Sequence, residues 1–120
     1  MGSSSAASLE ELVLLADKVL ASAELKRPDV LATIATKRGD PVWGKLAQHY
    51  GCELRFFDAE RLEQETPKLK HPSEVVFAAV GCHGVAESAA LAAAGPDAEL
   101  LIEKTTSECA TAAIAVTRID

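Results

Sequence analysis

Aromatic side chains are scarce in this 120-residue chain, which holds one Trp, one Tyr and three Phe, 4% of its residues. A core built on large aromatic anchors is therefore excluded, and packing must come from small aliphatic side chains at close helix–sheet distances. Cysteine is sparse too: Cys52, Cys82 and Cys109 form an odd set with no Cys-x-x-Cys spacing. That argues against a disulfide framework and a metal site, including one with His83, and fits reduced thiols buried as small hydrophobes. No metal and no cofactor are expected. Basic runs are absent and the formal net charge is −6, which argues against nucleic acid as a partner, because nonspecific affinity for phosphates needs clustered Lys and Arg. No apolar run approaches the roughly 20 residues that span a bilayer, and no basic-then-apolar leader opens the sequence. The expectation is a cytoplasmic protein with no membrane partner.

What remains is an ordinary soluble composition, 48% hydrophobic and 25% charged, in a length that suits one domain with one core. Ser8 and Glu11 form a capping-box pattern ahead of Leu9, Leu12, Val13, Ala16, Val19 and Leu20, so an amphipathic helix should run to about Ala23. "VLATIA" (Val30–Ala35) reads as a strand covered on both faces. Asp40-Pro41 opens a helix carrying Trp43, Leu46, Ala47 and Tyr50 on one side, with Gly51 as its stop. "CELRFF" is a strand, and Asp58 caps a short helix to about Glu65. "TPKLKHP" is a loop, and Ser73 starts a short helix through Ala79, although "VVFAAV" also suits a strand. A helix over Gly84–Ala94 closed by Gly95-Pro96 is followed by strands at "ELLIEK" and "ATAAIAV". This order predicts an α/β fold, a three-layer α/β/α sandwich around a mixed sheet. Residues 1–7 are expected to be disordered or a non-native leader, because "GSSSAA" has no propensity for a core strand, and the domain is expected over residues 8–120.

Ligands in such sheets gather beyond the carboxyl ends of the strands. Three features suit that place: Thr36 and Lys37 after the first strand, the Gly81–Gly84 turn that opens an alanine-rich helix, and Lys104 near the end of "LLIEK". A helix start offers free N–H groups and a positive dipole end to carboxylates or phosphates. Each feature also has a plain reading: glycines that relieve crowding, lysines that are solvated, and His83 capping a carbonyl. Glu87 is the pointed case, since a carboxylate in the first turn of a small, apolar helix needs a partner such as Lys37, Lys104 or a ligand donor if that helix is buried. Glu87 and His83 are the candidates for acid–base work, and no nucleophile motif accompanies them.

Thr66, Ser73, Val76, Val80-Gly81, "GVAESAAL" (Gly84–Leu91), Lys104 and "TAAIA" (Thr111–Ala115), taken in order, resemble the family of CobE and the C-terminal domain of CbiG from cobalamin biosynthesis. The resemblance covers the chain from Ser8 onward. It implies an α/β domain that binds a precorrin, a flat macrocycle edged with acetate and propionate groups. It further implies a part in opening the ring-A lactone with loss of a two-carbon fragment, the activity of CbiG. Catalysis would then fall to Glu87 and His83, and substrate binding to Thr36, Lys37, Gly81, Gly84, Lys104 and Thr111. Other cobalamin-pathway enzymes and a second copy of the chain, as a homodimer, are the expected protein partners. Two alternatives stand beside this reading. A docking module for a pathway enzyme would expose an apolar patch on the Trp43–Tyr50 helix and carry no cleft. A binding domain for small anionic metabolites would use the same helix start.

Overall fold

In the computed structural model, which describes residues 1–117, local capping sets most helix starts. Helix α1 (Leu9–Ser22) begins where Ser8 Oγ accepts from the Glu11 backbone N–H at 3.1 Å. The capping box is only half formed. The Glu11 carboxylate accepts instead from the Cys109 N–H at 2.7 Å and from the Ser107 hydroxyl, tying α1 to a distant turn. Strand β2 (Val30–Ile34) lies parallel to β3 (Glu53–Phe57), with α2 (Val42–Tyr50) as the crossover. Asp40 Oδ1 accepts from Val42 N–H at 3.0 Å, so Asp40 does cap, and the regular helix begins after Pro41. Helix α3 (Ala59–Glu63) is capped by Asp58, and the proline-rich stretch makes a 3-10 turn at Thr66–Lys68. "VVFAAV" is helical: Ser73 Oγ accepts from Val76 N–H to start α4 (Glu74–Val80), and Gly81, at φ 87°, ends it in a left-handed conformation.

Helix α5 (Val85–Ala94) leads to the antiparallel pair β4 (Ala98–Thr106) and β5 (Ala110–Thr117). The expectation for the N-terminus is corrected. Gly2–Ser3 form a short strand, β1, antiparallel to β5, and the Met1 nitrogen donates to Ala32 O of β2 at 2.6 Å. Pairing with a preformed edge supplies what these residues lack in propensity. The strands form a parallel pair, β2-β3, and an antiparallel set, β1-β5-β4, and the Met1 hydrogen bond to Ala32 O links the two. The last three residues of the domain expected over 8–120 lie outside the described ones.

Helices cover both faces, which makes the three layers of a single α/β domain. On one face Leu12, Trp43 and Leu46 of α1 and α2 pack on Leu31 and Ala112. On the other, Leu62, Ala89 and Ala92 of α3 and α5 pack on Ala32 and Ile34. Trp43, Leu46, Ala47 and Tyr50 are all buried, so the apolar patch that a docking module would show on α2 does not exist. Among the described residues no single helix is long and apolar enough to cross a membrane.

Candidate functional site around the first turn of helix α5

The first turn of α5 is the hub, and its side chains point to different neighbours. Val85 faces the strand ends: a Cβ on Gly2 would sit 3.1 Å from Val85 Cβ and 2.9 Å from Thr111 Oγ1. Only glycine lets β1 pass that close. Gly84 caps the helix with an extended φ of 179°, is itself buried, and has Leu69 packed against it. Thr36 is exposed and Lys37 half-buried, in a 3-10 turn that follows β2.

Glu87 turns the other way. It is 2% exposed, and its partners are backbone N–H groups rather than the lysine ammonium groups anticipated above. Oε1 accepts from the N–H groups of Lys70 and His71 at 3.1 and 3.0 Å, and Oε2 from that of Lys104 at 2.9 Å. Lys104 has its N–H to spare because β4 shifts register against β5 between Ile102 and Thr105, a bulge that frees the strand backbone. The helix dipole adds to the preference for an anion at this position. With both oxygens engaged, the carboxylate holds the 69–72 loop and β4 against α5, which does not suit a proton carrier. The ammonium groups of Lys70, Lys104 and Lys37 have no ion-pair partner among the described residues.

His83 sits in the turn between α4 and α5 and is locked on every side. Its Nδ1 lies 2.8 Å from Glu63 Oε2 and its Nε2 3.4 Å from Glu74 Oε1, and its ring stacks on Phe77 with centroids 4.4 Å apart. Its backbone N–H also donates to Glu63 at 3.0 Å, while its carbonyl accepts from Ser73 N–H at 2.7 Å. The Glu63 carboxylate holds His83 above its ordinary pKa. Hydrogen bonds from Thr66 and His83 hold Glu63 below its own.

The structure therefore does not gather the predicted residues in one cleft. Gly84, Val85 and Thr111 converge with Gly2, and Glu87 joins Lys104, whereas Gly81 serves to end α4. A cavity of about 550 Å³ lies at the other end of the strands, lined by Val30, Ala94 and Thr117 and by none of the predicted site residues. Sequence reasoning missed Lys70, His71 and Glu63. "KLKHP" carried the cations but read only as a loop, since its link to Glu87 comes from the fold. Among the described residues no group of three or more His, Cys, Asp or Glu is placed to hold a metal.

Comparison with known proteins bears on this arrangement. Residues 1–115 match the family model described as cobalamin synthesis G C-terminus. The chain belongs to the CobE/CbiG C-terminal family. Within that family it is 44% identical over 108 residues to the protein CobE of a Sinorhizobium species, covering 88% of this chain and 70% of that protein. It is 29% identical over 106 residues to cobalt-precorrin-5A hydrolase of Priestia megaterium, covering 87% of this chain but 28% of the hydrolase. Among solved structures, CobE from the cobalamin biosynthetic pathway superposes with a TM-score of 0.84 at 35% identity, over 95% of this chain and 84% of that one. The cobalamin biosynthesis protein chiG of Agrobacterium tumefaciens gives 0.75 at 27%, over 97% and 94%. This is a cobalamin-biosynthesis family domain.

Proposed function

We propose that the chain binds a precorrin intermediate, holding the acid groups at the macrocycle rim with Lys70 and Lys104 beside the first turn of α5, and with Lys37 after β2. One observation carries this reading. The buried Glu87 carboxylate fixes the backbones of both Lys70 and Lys104, while their ammonium groups stay without an ion-pair partner among the described residues. In a chain of net charge −6, two such cations on braced backbone make a local carboxylate receptor.

Lactone opening, if the domain takes part in it, falls to His83 rather than Glu87. Glu63 orients its ring through Nδ1, and Glu74, 3.4 Å from Nε2, would have to move aside for that nitrogen to exchange a proton with substrate. A second reading, docking to another pathway enzyme, is favoured by a different surface: Val75 and Phe77 of α4 are 80% and 42% exposed.

A titration with a purified precorrin, followed by the ligand's visible absorption, tests the proposal. A saturable change is expected, weakened about tenfold in Lys70→Ala and in Lys104→Ala and weakened again by added salt. Folded protein that gives no spectral change at any concentration overturns it. Turnover lost in His83→Gln with binding retained would add the enzymatic step. Binding of a pathway enzyme lost in Val75→Ser/Phe77→Ser, with no response to precorrin, would establish the docking reading instead.

A further inference from the structure

One ring nitrogen of His83 is only loosely claimed by the fold. Nδ1 is taken by both oxygens of Glu63, at 2.9 and 2.8 Å, and Glu63 is itself anchored by the Thr66 hydroxyl at 2.6 Å. The ring lies on Phe77 at an interplanar angle of 17°, and the His83 side chain is 17% exposed. Its orientation is therefore fixed, and Nε2 meets one polar group, Glu74 Oε1, at 3.4 Å. A charge-assisted hydrogen bond to a carboxylate is shorter, about 2.7–2.9 Å. The Glu74 side chain is 87% exposed and has no other polar partner among the described residues, so it exchanges this contact for water at little cost.

The charge at this point suits a carboxylate. The groups facing the ring are Glu63 from α3, Glu74 from α4, and the adjoining Cys82, whose thiol is kept neutral by burial. Glu63 holds the imidazole above its ordinary pKa, chiefly through the hydrogen bond at Nδ1, so below that raised value Nε2 carries a proton to donate. Displacing Glu74 asks only for a side-chain rotation. The backbone beside it is held, since Ser73 N–H donates to the His83 carbonyl at 2.7 Å and Ser73 Oγ caps α4.

We propose that His83 Nε2 is a binding point for a ligand carboxylate, and that the Glu74 side chain occupies it as a displaceable internal competitor. Phe77, 42% exposed and stacked on the imidazole, offers apolar surface to the alkyl part of an acetate or propionate arm. The loop that carries Lys70 is pinned to Glu87 at Lys70 and His71 and to His83 at Ser73, so this point and the lysine share one braced segment. Use of His83 as a further anchor for a precorrin rim acid rests on the function proposed above; the carboxylate site itself does not.

The test follows the His83 imidazole by NMR while sodium propionate replaces chloride at constant ionic strength, in the parent and in Glu74→Gln. Removing Glu74 is expected to lower the pH midpoint of His83, and propionate to raise it again saturably. Below that midpoint the variant should bind propionate at least about threefold more tightly than the parent, because a tethered competitor acts at millimolar effective concentration. Binding should be lost as pH rises through the midpoint. An unchanged His83 midpoint in Glu74→Gln, or propionate that moves the His83 signals no more than chloride does, overturns the proposal. The readout needs no macrocycle, so its failure is distinct from a failure of precorrin binding at Lys70 and Lys104.

Discussion

Glu87→Gln separates the structural role of this carboxylate from a chemical one. Glu87 accepts three backbone hydrogen bonds at 2.9–3.1 Å from two distant segments. A hydrogen bond to a charged group contributes about 1.5–3 kcal/mol net. Two of the three share one oxygen, and the donors are only partly buried and regain water, so losing all three in Glu87→Ala should cost about 3–4 kcal/mol. Gln keeps one oxygen for two of the donors and sets an amide N–H₂ against the third, or the reverse, at a cost of about 1–2 kcal/mol. At about 3–6 °C per kcal/mol for a domain of this size, the thermal midpoint should fall by about 5 °C in Gln and by more than 10 °C in Ala. Lys104→Ala keeps the backbone N–H and should stay within about 0.5 kcal/mol of the parent. Thermal unfolding by circular dichroism measures all three. A Gln variant as stable as the parent, or a Lys104→Ala variant as unstable as Glu87→Ala, would refute the clamp.

Three further outcomes follow from the same contacts. His83 is held above its ordinary pKa of 6.5 and Glu63 below its ordinary 4.5. Their pairing therefore stabilises the fold most between those values. It is lost as pH rises through the raised His83 pKa and as pH falls through the depressed Glu63 pKa, so midpoints measured across pH should flatten in His83→Gln. The Thr33 hydroxyl is fully buried with no hydrogen-bond partner among the described residues, and Thr33→Val, which keeps the shape, should stabilise by about 1 kcal/mol in urea unfolding; a loss of stability would mean that the hydroxyl is satisfied. Gly81 ends α4 at φ 87°, and a Cβ there would meet Ala59 Cβ at an ordinary 3.4 Å, so Gly81→Ala should cost only the backbone strain, about 1–2 kcal/mol. A much larger loss of stability would show that packing also depends on the glycine.

What could be read from the sequence was local. Ser8, Asp58 and Ser73 each sit three residues before the N–H they cap, and Gly51 ends its helix by its own left-handed conformation. Such signals act within one turn, so no knowledge of the fold was needed. Strand β1 escaped because Gly2 and Ser3 are extended only by pairing with Thr111 and Ala110, more than a hundred residues away. The capping-box reading of Glu11 failed for the same reason, its carboxylate being claimed by Ser107 and Cys109. Glu87 was singled out correctly as a buried charge that needs partners, but backbone donors carry no residue signature. Lys104 is therefore a partner through its backbone N–H rather than its ammonium group, Lys37 is not among the partners, and Lys70 went unseen.

The central claim is recognition of the macrocycle through its rim carboxylates. It is tested most directly by titrating the folded chain, in low salt, with a corrinoid polyacid and with the same macrocycle fully amidated. The account predicts saturable binding of the acid that weakens as salt is raised, and binding of the amide at least tenfold weaker. Equal affinity for both, or binding of the acid that is unchanged in a Lys70→Ala/Lys104→Ala double variant, would contradict it.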